Sequence, residues 1–263
     1  MNCVKYFLLL MAFFKCLAVT HIHGEESGPL IIGMELGYPP FEMIDPSGHP
    51  AGISVEIAQA LGRQLNREIK IENIPFLGLI PALKTDKIDL ILSSMSITPQ
   101  RKTSIDFSEP YFKVGLSLLV SLKSNLQSIA EGNHPEFRFV VKSGTSGEIY
   151  ARQHLGAAEI IVLDKETSCV LEVIQGKVDA FIYDQLSVFQ NWEKNPKTTR
   201  AILKPFDVEE WGIGVRKDNE VLLFQVNQFL HTFKGEDGVK KIVQKFLDPQ
   251  MQAFQKMGIP FVF

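Results

Sequence analysis

From residue 29 onward, strand-like apolar runs alternate with runs of helical period. That alternation constrains the fold more than any other feature of the chain. PLIIGMEL reads as a strand and is followed by SVEIAQALGRQL, a helix with Ile57, Leu61 and Leu65 on one face and Ser54 as the expected N-cap. EIKIENI, LGLIPALKTDK and IDLILSS then read as strand, helix and strand. FRFVVKSG, TSGEIYARQHL, EIIVLD, SCVLEVIQGK and DAFIYD continue the alternation, and NEVLLFQVNQFLHTF and GVKKIVQKFL close the chain as helices. Mostly apolar strands separated by helices predict an α/β class, with parallel sheets covered by helices. A chain of 263 residues, 45% hydrophobic, is long enough for one large domain or for two lobes with separate cores.

An internal echo favours two lobes. PALKTDKIDLILSS and VLEVIQGKVDAFIYD share a helix end, a lysine, an aliphatic residue, an aspartate and an apolar strand. Aligning Lys87 with Lys177 sets Asp89 on Asp179 and Ser94 on Asp184. Two strands of similar build would then each end in a polar residue. Ligands of open α/β sheets sit outside the carboxyl ends of the strands, so two facing ends would form a cleft. FKVGLSLLVSL (residues 112–122) and EEWGIGVRKD (residues 209–218) read as the crossovers. The predicted organisation is residues 25–114 in a first lobe, 115–211 in a second, and 212–263 returning to the first. The segment after Lys245 extends past the expected end of the fold, and its apolar end (Ile259, Phe261, Val262, Phe263) predicts packing on the first lobe or a partner contact.

Residues 1–24 stand apart. Lys5 precedes a short apolar stretch, broken only by Lys15, as in a cleavable secretory signal peptide. The stretch falls short of the roughly 20 residues of a membrane span. Lys15 stands where a lipidated Cys16 would have a small residue before it. After cleavage only Cys169 remains, in a helical pattern, as a buried small hydrophobe with no disulfide partner. No CxxC, HExxH or histidine cluster is present, so neither a metal nor another cofactor is expected. A net charge of −3 gives no footprint for nucleic acid.

The polar strand ends supply the candidate site. Ser93, Ser94 and Ser96 follow a buried strand, and Arg101, five residues past Ser96, offers a planar fork of donors suited to a carboxylate. The opposing reading of Arg101 is a local ion pair with Asp106. In VVKSGTSGE a strand runs through Lys142 and Gly144 to Thr145, Ser146 and Gly147 and then a helix, whose first N–H groups suit an anion. A plain turn with Thr145 as N-cap is the competing reading. Asp184 ends its strand either as an ammonium acceptor or as the cap of the next helix. Glu35 faces the cleft mouth, and Tyr38 and Phe76 are candidate aromatic walls. A carboxylate receptor, an ammonium receptor and a small polar pocket together describe an α-amino acid, whose two charges must both be met when buried.

These stretches, with GMELGYPPFE, AGISVEIAQAL, SSMSITPQRKTSIDFSEPYF, VKSGTSG, KVDAFIYD and WGIGVRKDN, resemble the periplasmic solute-binding proteins for polar amino acids that serve ABC importers. The resemblance implies a two-lobe type II binding-protein fold with two hinge strands, a monomer in the periplasm, and a membrane permease as partner. It implies Arg101 with the amides near Thr145, Ser146 and Gly147 on the ligand carboxylate, and Asp184 with groups around Ser94 and Ser96 on the ammonium. It also implies Tyr38 and Phe76 as walls, with Glu35, in place of the more common Asp, facing the distal group. Lys142 in VKSGT is similar to the glutamine-binding members: Glu35 would accept from a glutamine amide nitrogen while Lys142 donates to its oxygen. Tyr183, beside Asp184, is expected to help line the pocket. Glutamine ranks first, then arginine or lysine, then glutamate. The rival on the same fold is an enzyme, a periplasmic dehydratase acting on prephenate or arogenate. A sensor or adhesion role would need a partner.

Overall fold

The computed structural model describes residues 28–261. The expected export signal, with Val262 and Phe263 of the tail, lies outside them. In chain order the first elements are β1 (Leu30–Met34), β2 (Met43–Ile44), β3 (Pro50–Ala51), α1 (Ile53–Leu65), β4 (Ile69–Asn73), α2 (Phe76–Lys84), β5 (Leu90–Ile91), α3 (Pro99–Lys102) and β6 (Asp106–Phe107). Next come β7 (Phe112–Ser121), β8 (Arg138–Lys142), α4 (Ser146–His154), β9 (Glu159–Leu163), α5 (Glu166–Gln175), β10 (Ala180–Asp184), α6 (Gln185–Lys194) and β11 (Thr199–Trp211). The chain ends with β12 (Gly214–Val215), α7 (Glu220–Gly235) and α8 (Gly238–Met257).

The elements form two lobes, each a five-stranded sheet flanked by helices. The first sheet runs β4-β1-β5-β12-β6 and the second β11-β7-β10-β8-β9. Both are mixed, where the apolar strands predicted parallel sheets. The β1–β4, β1–β5, β8–β9 and β8–β10 pairs are parallel, but β7, β11 and β12 pair antiparallel. The antiparallel strands are the ones that carry the chain between lobes, and they join each sheet directly without a helical crossover.

The internal echo is structural. The Asp89 carboxylate accepts from the Ile31 amide at 2.8 Å, and the Asp179 carboxylate accepts from the Arg138 amide at 2.8 Å. In each lobe, then, the aspartate before the central strand pins a neighbouring parallel strand near its start. Equal lengths of chain later, Ser94 and Asp184 emerge into the cleft between the lobes.

Helix α1 starts differently from the sequence expectation. Gly52, at φ 119°, is the N-cap, and Ser54 is buried inside the first turn. A side chain at Gly52 would press on the Phe41 carbonyl at 2.4 Å, so only glycine allows this entry. Ile53, Ile57, Ala58 and Leu61 form the buried face, and Asn66 ends the helix in the left-handed conformation.

The two crossings between lobes lie side by side. The Tyr111 amide donates to the Trp211 carbonyl at 2.9 Å, and Gly212 and Ile97 bond across to Met95 and Glu210. Trp211 is buried here, stacked on Phe112 at 5.1 Å and edge-on to Phe41 at 4.9 Å. Such rings restrain the hinge with a compact apolar bearing.

The tail does more than pack on the first lobe. Helix α8 continues through Pro249 to Met257, with Lys245 paired to Glu56 of α1 at 2.5 Å. Its far end reaches the second lobe. Phe254 lies 4.9 Å from Phe189 of α6 and 5.0 Å from Phe261, and the Pro260 carbonyl accepts from Gln185 at 2.9 Å.

Candidate functional site

All twelve candidate residues line one cavity between the lobes, partly open to solvent. Tyr183 and Leu116 complete its lining. Leu116, on crossover strand β7, is absent from the sequence reading.

The Arg101 end is built from the first lobe. Thr98 caps α3 and accepts from the Arg101 amide at 3.1 Å, which fixes the backbone beneath the guanidinium. That amide is therefore consumed by the cap instead of being left for an anion. Asp106 does not pair with Arg101, because Lys217 takes it at 2.6 Å. The buried guanidinium instead donates to the Ser96 carbonyl at 2.5 Å and, across the cleft, to the Gly144 carbonyl at 2.9 Å. Burial pushes Arg101 down to about 10, opposed by Glu209 and Asp184, so it stays charged at neutral pH.

The second lobe supplies the opposite wall. Asp184 occupies the N-cap position of α6, yet its side chain does not cap the helix. It accepts instead from the Tyr38 hydroxyl at 2.8 Å, another contact between lobes. Burial pushes its carboxyl up to about 7, and the Tyr38 hydrogen bond opposes that shift. Thr145 holds the N-cap position of α4, but its hydroxyl donates to the Lys142 carbonyl at 2.7 Å. The Ser146 and Gly147 amides open α4 and have no carbonyl one turn earlier within the helix. Gly147 is required for packing: a side chain there would meet the Ile182 carbonyl at 2.8 Å.

Phe76 and Tyr38 serve different ends. The Phe76 ring carries the Arg101 guanidinium at 5.4 Å and the Lys142 ammonium at 5.5 Å, so it forms a floor under both cations. The Tyr38 ring stacks on Phe41 at 5.2 Å and meets Tyr183 edge-on at 5.8 Å, with its hydroxyl toward Asp184. At the other end of the cavity, Lys142 forms an ion pair with Glu35 across the lobes. The Glu35 amide donates to Ser93 at 2.9 Å.

Two acids were missed by the sequence reading. Glu42 is fully buried, and both its carboxyl oxygens accept from the Ser94 hydroxyl, at 2.8 and 3.0 Å. Burial pushes this carboxyl well up, while Ser94 and Ser54 oppose the shift. Glu42 thereby holds Ser94, at φ 50°, against the Tyr38 turn. Glu209, on hinge strand β11, accepts from Ser96 of the first lobe at 2.8 Å and from Ser146 of the second. Neither acid has a periodic signature in the sequence; each is recognisable only through its long-range partners.

Glu209 thus ties the hinge to both lobes. Glu209→Ala is expected to raise the ligand dissociation rate roughly tenfold to a hundredfold, the loss of the Ser96 hydrogen bond between the lobes to a charged group. The association rate should stay nearly constant. Stopped-flow tryptophan fluorescence reads both rates, and an unchanged dissociation rate removes Glu209 from this role.

The arrangement can grip a small molecule bearing a carboxylate and an ammonium, with a distal polar group reaching the Glu35–Lys142 pair. The model of the bacterial extracellular solute-binding proteins, family 3, matches residues 30–249. The chain belongs to that family. The L-cystine-binding protein of Escherichia coli K12 is 28% identical over 223 residues, covering 84% of each chain. The L-arginine-binding protein of Pseudomonas aeruginosa is 30% identical, covering 83% of this chain and 87% of its own length. Among solved structures, an ancestral arginine-binding protein bound to glutamine superposes with a TM-score of 0.76 at 29% identity, covering 83% of this chain and 97% of that one. An ancestral amino acid-binding protein, a precursor of cyclohexadienyl dehydratase, gives 0.75 at 29% identity, covering 83% and 95%. These relatives of the family 3 chain bind amino acids, and their ligands differ.

Proposed function

We propose that this family 3 protein captures a polar L-amino acid, glutamine before arginine or lysine, by closing its lobes, and delivers it outside the cytoplasm to an ABC-transporter permease. In this reading the lobes divide after residues 114 and 211, and the protein works as a monomer after its signal is removed. The ligand carboxylate meets Arg101 and the first amides of α4, and its ammonium meets Asp184. Hinge closure of this kind is the handling expected of periplasmic binding proteins. Ligand favours the closed form only through contacts made there alone.

The Glu35–Lys142 pair carries the preference for glutamine. The pair is neutral as a whole, and each member already meets the other's charge. A cationic side chain would take Glu35 and leave Lys142, with only 6% of its side chain exposed, unpaired. A glutamine amide offers a donor to Glu35 and an acceptor to Lys142 without displacing either charge. Isothermal titration calorimetry of the unfolded and refolded mature chain tests the ranking. Glutamine is expected to bind at least tenfold tighter than arginine, lysine or glutamate. Tighter arginine or lysine binding would keep the head-group clamp and overturn the distal assignment. A parallel assay with prephenate and arogenate is expected to show no turnover; product formation would move the reading to the dehydratase.

A further inference from the structure

The tail past Lys245 lines no part of the ligand cavity, yet it reaches the helix that starts at Asp184. Helix α8 is anchored on the first lobe, where Val243 and Leu247 are buried and Lys245 pairs with Glu56 of α1. From Lys245 to Phe254 it carries the chain about 14 Å further, at a rise of about 1.5 Å per residue. Gly258, at φ 65°, then ends the helix, and the Ile259 amide donates back to the Phe254 carbonyl at 3.1 Å. That reversal brings the Phe261 ring to 5.0 Å from Phe254. The residues that reach α6 all lie past residue 249, where the family 3 match ends, so family membership does not predict them.

Helix α6 receives the tail on one face. Gln185 and Phe189 are one turn apart and lie on the same side. The Phe189 ring is 4.9 Å from Phe254. Gln185 is buried, and its side-chain nitrogen donates to two carbonyls, Leu203 of β11 and Pro260 of the tail, each at 2.9 Å. Both amide hydrogens are thus used. Taking Pro260 away would leave one of them buried without that acceptor, which is costly. Gln185 directly follows Asp184, so the tail grips α6 at the end that carries the ammonium acceptor.

We propose that the C-terminal tail is a strap: it holds α6, and with it Asp184, to the first lobe, and so favours the closed arrangement of the lobes. This rests on the reading that Asp184 receives the ligand ammonium. Tyr38 on Asp184 and Arg101 on Gly144 join the lobes across the cavity. The tail joins them away from it, through Gln185 and Phe189. A contact between lobes that is made in one arrangement only shifts the equilibrium toward that arrangement. The strap does this without touching the ligand, so it acts on release more than on capture.

A mature chain ending at Gly258 keeps α8 and loses the Pro260 and Phe261 contacts. It is expected to release glutamine roughly fivefold to fiftyfold faster in stopped-flow tryptophan fluorescence, with association changed less than about twofold. Without ligand, its radius of gyration in small-angle X-ray scattering should exceed that of the full chain; with saturating glutamine the two should agree. Phe261→Ala is expected to move in the same direction by a smaller factor, and it carries the test if the shortened chain does not fold. An unchanged dissociation rate in a folded variant, or faster release without ligand-free expansion, would overturn the strap. The ligand-free comparison needs no amino acid. If glutamine and the other amino acids fail to bind, the amino-acid reading falls, while the scattering difference still decides the strap.

Discussion

Arg101→Ala is expected to weaken amino-acid binding by roughly a hundredfold to several-thousandfold, the consequence of leaving one partner of a buried charge pair alone at about 3–5 kcal/mol. The guanidinium is buried, its backbone is fixed by the Thr98 cap, and its side chain reaches Gly144 on the opposite lobe. In the proposed reading, removing it takes away both a ligand contact and a contact between the lobes. Arg101→Lys should recover only part of the loss, because an ammonium lacks the planar fork that meets a carboxylate bidentately. Calorimetry against glutamine checks both variants. An affinity within a few-fold of the native value in Arg101→Ala would remove this residue from the clamp.

The second large effect falls on Asp184. Its carboxyl is pushed up to about 7 by burial, even with the Tyr38 hydroxyl bonded to it. A ligand ammonium binds the ionised form. Below about pH 7 the buried carboxyl holds a proton that must leave before the ammonium can pair with it. Binding is therefore expected to release a proton in slightly acidic solution, and affinity should fall as pH drops below about 7, by up to about tenfold per pH unit. Above that value the carboxylate is already ionised and the dependence flattens. Asp184→Asn should abolish this pH dependence and lose roughly a hundredfold or more in affinity at neutral pH, since the ammonium is then buried without a counter-charge. Titrations in buffers of different ionisation enthalpy measure the proton count. A pH-independent affinity in the native protein would contradict this role.

Much of the candidate site is legible in the sequence because its residues lie at strand ends, where an apolar run stops abruptly in polar residues. Ser93 and Ser94 after β5 and Asp184 at the end of β10 are such residues, and the repeated Lys-aliphatic-Asp pattern marked the two strands as equivalents. The Asp89 and Asp179 hydrogen bonds give that pattern its physical basis. Residues whose importance comes from tertiary pairing were not legible. Glu209 lies in a hinge strand whose local sequence, VEEW, does not say which acid turns inward; the ladder pairing of Glu209 with Val114 settles that. Glu42 sits among turn residues, and its burial follows from packing against Ser94, 52 positions later. The Ser54 cap was misread for a related reason. Serine is a good local capping residue, but Gly52 is the residue that fits under the Phe41 carbonyl. The antiparallel strands were hidden as well, because an apolar run carries no sign of its direction.

The most direct test of the central claim, that Arg101 and Asp184 together hold the two charges of one amino-acid head, blocks those charges on the ligand. Calorimetry on the refolded mature chain would compare glutamine with glutaminamide, which lacks the α-carboxylate, and with N-acetylglutamine, which lacks the α-ammonium. Glutamine is expected to bind, and each blocked form to bind at least about a hundredfold more weakly. Comparable affinity for either blocked form, or no binding of glutamine or any other amino acid, would contradict the account.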